Sequence, residues 1–459
     1  MASRRSLLLC LKWAGCVILG VICLLVLSAT QACTRTNQAA PEMVLTIIDQ
    51  SWLDKPSQAL LSEELKQFTH ETGIRVQILP APEVALKQLD TWRNLLENGA
   101  KIPDVYGIDV IWPGILADNL VDLKAYVPEQ EIAAQFPELI RNNTVNGRLV
   151  ALPYNLGEGL LFYRVDLLHK YGYSAPPKTW DQLEKMAKRI QAGERTKGNK
   201  DFWGYVWQGA PSEALTCNAL EWQVSEGGGT ILDENGRITV NNPRSIAAWE
   251  RAARWVGSIS PPGVTAYTEG DSFNIWQAGK AAFMRNWPNA YVAARDENSP
   301  TQDHFDVAPL PAGRAGSAAT LGGQGYGVSR YSLHTREATM LVRFLTSRNE
   351  QARRCLRSSN PPIIPELYKD PEILARNPFF STILLAYSHA AVRPSTVAGK
   401  RYPDVSRAYF EAVHAVLSHK KLAPQAAADL QQELAQILGK KAAIPKTNVP
   451  QGPAVALRR

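Results

Sequence analysis

The sequence predicts an α/β protein built as two lobes, and three observations carry that reading. From residue 43 onward, short apolar runs alternate with stretches of helical period, and the alternation restarts near residue 152. The chain is also long and apolar enough to fill more than one core: of 459 residues, 45% are hydrophobic and 20% charged. That balance excludes a disordered chain, a fibrous one and a single small module.

Residues 1–32 read as an export signal, with Arg4 and Arg5 at the start, an apolar run from Trp13 to Leu27, and a small polar stretch before Cys33. Cleavage there would expose Cys33 for lipidation, and the polar residues 33–42 would serve as a tether. Thr30 stands where a lipobox usually has an aliphatic residue, so simple secretion stays open. An uncleaved anchor over 7–27 stays open too if Lys12 snorkels to the interface. The formal charge of +7 includes Arg4, Arg5 and Lys12, and without the leader +4 remains, with acids and bases interspersed. No basic stripe marks a nucleic-acid partner. Cys10, Cys16 and Cys23 leave with the signal. Cys217 and Cys355 remain as a disulfide or as two buried thiols, a choice that spacing leaves open. Without CxxC or a Cys/His cluster, no zinc site is expected.

In the first lobe, strands fall at 43–49, 74–79 and 105–111. Leu60, Leu61, Leu65 and Phe68 mark a helix closed by Gly73, and a second helix covers about 83–97. Short alternation of this kind predicts a mostly parallel sheet with crossover helices, whose ligands collect at the carboxyl ends of the strands. Asp109 stands at such an end. The second lobe opens with a strand at 159–164 and a helix begun by Thr179, three residues before Gln182 in a capping-box pattern. Another helix starts at Asn242-Pro243 and carries Ile246, Trp249, Ala253 and Val256 on one face. Ser272 precedes a further one. Amphipathic helices are predicted at 337–356, 405–417 and 424–438, and the aperiodic residues 443–459 read as a loosely held tail.

The chain has no GxSxG, HExxH, Walker or Rossmann sequence. The glycine cluster from Leu321 to Gly327 has no helix after it and continues as a strand. It reads equally as backbone approaching a ligand and as a tightly packed or bulged strand. Twelve tryptophans make a carbohydrate site worth testing, because a pyranose presents an apolar C–H face to an indole and hydroxyls to polar groups. Trp112, Trp222 and Trp287 all neighbour polar residues. Core filling is the simpler reading of Trp222 and Trp249, whereas Trp287 sits in a polar turn with Arg285, Asn286, Pro288 and Asn289.

The stretches DVYGIDVIWPG (104–114), TCNALEW (216–222), NNP (241–243), AAFMRNWP (281–288), ATLGG (319–323) and VRPST (392–396) carry a resemblance, in order, over nearly all of the mature chain. They resemble the family 1 extracellular solute-binding proteins of sugar ABC importers, in particular the trehalose/maltose-binding branch that includes cyanobacterial glucosylglycerol-binding proteins. The resemblance implies the type II periplasmic-binding-protein fold, with hinge bending around a ligand cleft between the lobes. It divides the chain into a first lobe of 43–152 plus about 283–331 and a second of 153–282 plus about 332–442. It implies a monomeric binder of a neutral glycoside, with no catalytic step, cofactor or metal, located outside the cytoplasm and held to the membrane by lipid on Cys33. Its partners would be permease subunits with a cytoplasmic ATPase.

Residue by residue, the resemblance makes Asp109 an acceptor for sugar hydroxyls and Trp287 the stacking platform. Gly322 and Gly323 offer backbone groups, Arg393 clamps from the opposite lobe, Asn155 and Glu158 supply polar contacts after the crossover, and Glu221 adds a further contact. On the residues alone, Asp109 reads as well as a helix cap and Arg393 as a surface arginine. Three departures bear on the ligand. Gln324 follows Gly-Gly where disaccharide-binding relatives commonly have an aromatic, Asn289 replaces a Tyr two after the cleft Trp, and Gly157 falls near a usual acidic position with Glu158 beside it. Two lost aromatic faces and two added amides suit a glucose joined to a short polyol, with trehalose or sucrose as further ligands. Two other classes remain: an exported glycosidase using Asp109 and Glu158, and a sugar receptor feeding a membrane sensor.

Overall fold

The structure, a computed structural model, describes residues 43–49, 55–82, 85–295 and 297–439. The export signal, the tether with Cys33 and the tail at 443–459 lie outside the described residues. The strands in chain order are β1 (Val44–Ile48), β2 (Arg75–Leu79), β3 (Val105–Asp109), β4 (Thr144–Val145), β5 (Arg148–Leu149), β6 (Leu152–Glu158), β7 (Leu160–Arg164), β8 (Trp203–Val206), β9 (Ala281–Asn286), β10 (Phe305–Pro309), β11 (Ala319–Val328) and β12 (Ala390–Ala391).

β1 is buried at Leu45, Ile47 and Ile48, the near-continuous apolar run of a strand covered on both faces. It pairs in parallel with β2 and β3. The helices Lys55–Thr72 and Ala85–Glu97 make the crossovers and bury Leu61, Leu65, Phe68, Leu89, Trp92 and Leu96. Trp92 Nε1 donates to the Gly107 carbonyl at 2.8 Å and fastens its helix to β3. β11 then joins β3 antiparallel, β6 joins β11 antiparallel, and β12 extends β11 in parallel. The parallel arrangement expected of the first lobe therefore holds for β1 to β3, and β6 runs in their direction, while β11 and β12 run against them.

A second sheet has the order β10-β7-β9-β8, with β7 antiparallel to both neighbours and β8 parallel to β9. Gly159 alone separates β6 in the first sheet from β7 in the second, so the chain crosses between sheets at that residue. It crosses back between β10 and β11. The sheets group these residues differently from the expected division at 283–331 and 332–442. β9 and β10 hydrogen-bond to β7, which puts most of 283–309 with the second sheet. The helix Thr335–Thr346 packs on β6 and β11, which puts it with the first.

The helix Glu213–Ser225 is buried at almost every position, wedged between Pro243–Trp255 and Tyr402–Leu417. Asn242 caps its helix as expected, accepting from the N–H groups of Arg244 and Ser245. The helix expected after Ser272 instead begins at Glu269, capped by Thr268. The single helix expected at 337–356 is two, because extended Ser347 ends the first and its hydroxyl accepts the Glu350 N–H to start the second. Cys217 and Cys355 are both buried free thiols, which resolves that choice against a disulfide. Among the described residues no helix is long and apolar enough to cross a membrane, and no His, Cys, Asp and Glu group of three or more could hold a metal ion.

Candidate functional site

A cavity of about 450 Å³ opens between residues carried by the two sheets. From the first sheet come the end of β3 (Asp109), the half-buried positions of β6 (Asn155, Gly157) and the middle of β11 (Gly322, Gly323, Gln324). From the second come Trp287, Pro288 and Asn289, just past β9. Glu213 and Glu269, each in the first turn of its helix, and Arg393, just past β12, complete much of the wall.

Strand register explains the polar row on the first-sheet side. Gln324 on β11 lies opposite Asp109 on one side and Asn155 on the other, so three side chains separated by up to 215 positions stand abreast. Asn155 Oδ1 accepts the Gln324 N–H at 2.8 Å, and a bulge follows between Gln324 and Gly325. Gly323 has φ +122, and a Cβ there would lie 2.4 Å from the Asn155 carbonyl. An added Cβ at Gly322 would come within 3.0 Å of both the Gly157 carbonyl and Trp287 Cζ3. These glycines therefore let β11 approach β6 and leave room for the indole.

Asp109 accepts the Ile111 N–H at 3.1 Å. Burial pushes its carboxyl up, against the opposing pull of Arg393 and that hydrogen bond. Arg393 is 6% exposed; Nη1 donates to Glu213 Oε1 at 2.8 Å and Nη2 to the Leu321 carbonyl at 3.1 Å. Its buried Nε finds no acceptor among the described residues. Glu213 also accepts from the hydroxyls of Tyr402 and Ser406. Trp287 Nε1 donates to Glu269 Oε1 at 3.5 Å, and the Arg285 guanidinium lies 4.0 Å from the indole centroid.

Of the residues predicted from sequence, Asp109, Asn155, Trp287, Gly322, Gly323, Gln324 and Arg393 line this one cavity, as do the departures Gly157 and Asn289. Glu158 and Glu221 do not line it. The pleat of β6 turns Asn155 and Gly157 outward, so Glu158 faces the interior, where it is 0% exposed and neither carboxylate oxygen has a partner among the described residues. Burial drives its pKa well above the ordinary carboxylate range. Glu221 is consumed by Arg285, whose Nε and Nη2 reach it at 3.0 and 2.5 Å. Trp112 and Trp222 belong to the core.

Sequence reasoning missed Asp49, Tyr154, Glu213 and Glu269, which also line the cavity. Asp49 follows β1, so the strand-end rule that singled out Asp109 applies to it as well. Glu213 and Glu269 stand in helix first turns, where a carboxylate is already explained by the helix dipole.

Two layered sheets facing across a cavity, linked by strand-to-strand crossings, define a two-lobed periplasmic binding protein. T. maritima MalE3, solved with maltose bound, has this fold: it superposes with a TM-score of 0.77 at 34% identity, covering 86% of this chain and all of its own. The GacH receptor of Streptomyces glaucescens, solved unliganded and with acarbose, superposes with a TM-score of 0.76 at 22% identity over 88% of this chain and all of its own. A probable ABC transporter-binding protein of Deinococcus radiodurans is 46% identical over 374 residues, 81% of this chain and 89% of its own length. The profile of the bacterial extracellular solute-binding proteins matches residues 53–352. The chain belongs to that family, whose members are the substrate-binding components of ABC transporters.

Proposed function

We propose that this protein captures a neutral glycoside outside the cytoplasm and delivers it, unchanged, to an ABC permease, with glucosylglycerol as the favoured ligand and trehalose or sucrose as alternatives. The observation that carries the reading is the composition of the cavity. One accessible indole, Trp287, shares it with the carboxylates of Asp49, Asp109, Glu213 and Glu269, the guanidinium of Arg393, and the amides of Asn155, Asn289 and Gln324. Carboxylates accept from sugar hydroxyls, Arg393 brings its guanidinium to the wall, and the indole takes a C–H face. At about 450 Å³ the cavity has the scale of a small-molecule site. The two amides in the same wall, Asn289 and Gln324, favour a polyol end over a second stacked ring. The maltose held by MalE3 supports the sugar class. Attachment through lipid on Cys33 and assembly with permease and ATPase subunits belong to the same proposal.

Calorimetric titration of the purified protein tests it. Glucosylglycerol should bind with a one-to-one stoichiometry and leave as added. Tight binding of maltodextrins with no response to glucosylglycerol rejects the ligand assignment, and release of free sugar from candidate glycosides, lost in Asp109→Asn, favours a glycosidase.

A further inference from the structure

We propose that the buried Glu221–Arg285 pair is a positioning device: it backs the Trp287 indole and ties it to both crossings of the chain between the sheets. Arg285 meets Glu221 as a fork, through Nε to Oε2 at 3.0 Å and Nη2 to Oε1 at 2.5 Å. The two side chains are 0% and 1% exposed. The guanidinium then stacks on Trp287, its Cζ 4.0 Å from the ring centroid. Arg285 is no part of the cavity wall, so it supports the ring from behind and leaves the cavity side to a ligand.

The same pair touches both crossings. Gly159, the single residue between β6 and β7, leaves no space for a Cβ, which would lie 2.1 Å from Glu221 Oε1 and 2.7 Å from Arg285 Nη2. Thr320, at the start of β11, donates its N–H to Glu221 Oε1 at 3.1 Å. A fully buried charge pair is a poor source of net stability compared with apolar packing, so its geometry calls for another use. A planar cation clamped by a bidentate carboxylate fixes the tilt of a ring that would otherwise turn about its side-chain bonds, which lowers the cost of ordering it on binding. A parallel arrangement exists on the first sheet. Arg354, paired with buried Glu64 at 2.6 Å, lies 3.6 Å from the ring of Tyr154, another cavity residue. The consequence for ligand binding rests on the proposed glycoside site, whereas the positioning of the ring does not.

The test is therefore made first without ligand. In the purified protein, acrylamide quenching of Trp287 is isolated by difference against Trp287→Phe in each background. The double variant Glu221→Met/Arg285→Met removes both charges while keeping volume, and should raise the Trp287 quenching constant at least twofold. Arg285→Lys keeps a charge without the fork and should give an intermediate rise. Gly159→Ala, at the crossing and away from the cavity wall, should raise the same constant. Titration with glucosylglycerol and with maltose should show at least tenfold weaker binding in the double variant for whichever sugar the parent binds. A quenching constant unchanged in the folded double variant overturns the positioning role. If the double variant does not fold, an unchanged constant in Arg285→Lys does so, and an unchanged constant in Gly159→Ala overturns the link to the crossings. If the parent binds neither sugar, the glycoside reading fails and quenching alone decides the positioning role.

Discussion

Trp287 is held from three directions: Arg285 behind it, Glu269 at its indole N–H, and Gly322 beside its six-membered ring. Truncating it to alanine removes the platform without emptying a core, since the ring is only partly buried. Trp287→Ala should weaken glycoside binding by roughly 1.5–3 kcal/mol, the scale of burying one large apolar side chain, while the unliganded melting temperature stays within about 2 °C for a surface change of this kind. Calorimetry and a thermal melt measure the two outcomes. At this scale the sequence was readable where chemistry and position coincided: Asp109 at a strand end and Trp287 in a polar turn. It did not show that Glu158 and Glu221 lie away from the cavity wall, because the direction of a side chain depends on the pleat and on a partner 64 positions away, and local spacing shows neither.

β11 and β6 carry the next level of the argument. Gly323 combines a left-handed φ of +122 with a 2.4 Å approach to the Asn155 carbonyl, so any side chain there is both strained and obstructed. Gly323→Ala should cost roughly 1–3 kcal/mol of stability, read as a lower urea midpoint with an unchanged slope. β6 also sets a pH dependence through Glu158. Its carboxyl is raised in the fold by burial, so above the ordinary carboxylate range the folded chain keeps a proton that the unfolded chain has released. The stability it contributes is whole below that range and is lost as pH rises toward the raised value. Glu158→Gln should therefore raise the melting temperature at pH 8, change it little at pH 4, and flatten the slope between them. A melting series at those pH values checks the sign. The amide keeps the shape of the site, and no described residue depends on the carboxylate as an acceptor.

At the scale of the whole molecule, wall residues from two sheets mean that a bound ligand bridges them. Ligand should therefore stabilise the assembly as a unit. At a hundred times its dissociation constant the gain is about 2.7 kcal/mol, visible as a higher melting temperature that disappears in Asp109→Asn/Arg393→Met. Closure about the crossings at Gly159 and between β10 and β11 should also reduce the radius of gyration in small-angle scattering when ligand saturates the site. An unchanged radius with saturating ligand would point to a cleft already closed in the free protein.

The sequence by itself determined the α/β class, the caps at Thr179 and Asn242, and the residue types a polar cleft would need. These follow from period, turn chemistry and local hydrogen bonding, all legible within a dozen residues. Only the tertiary structure decided that β9 and β10 belong with β7, that Glu213 and Glu269 turn into the cavity, and that Glu221 supports the platform from within. Those outcomes depend on which strand edges meet and on which buried charges find each other across the chain, and long-range pairing leaves no periodic trace in the residues that make it.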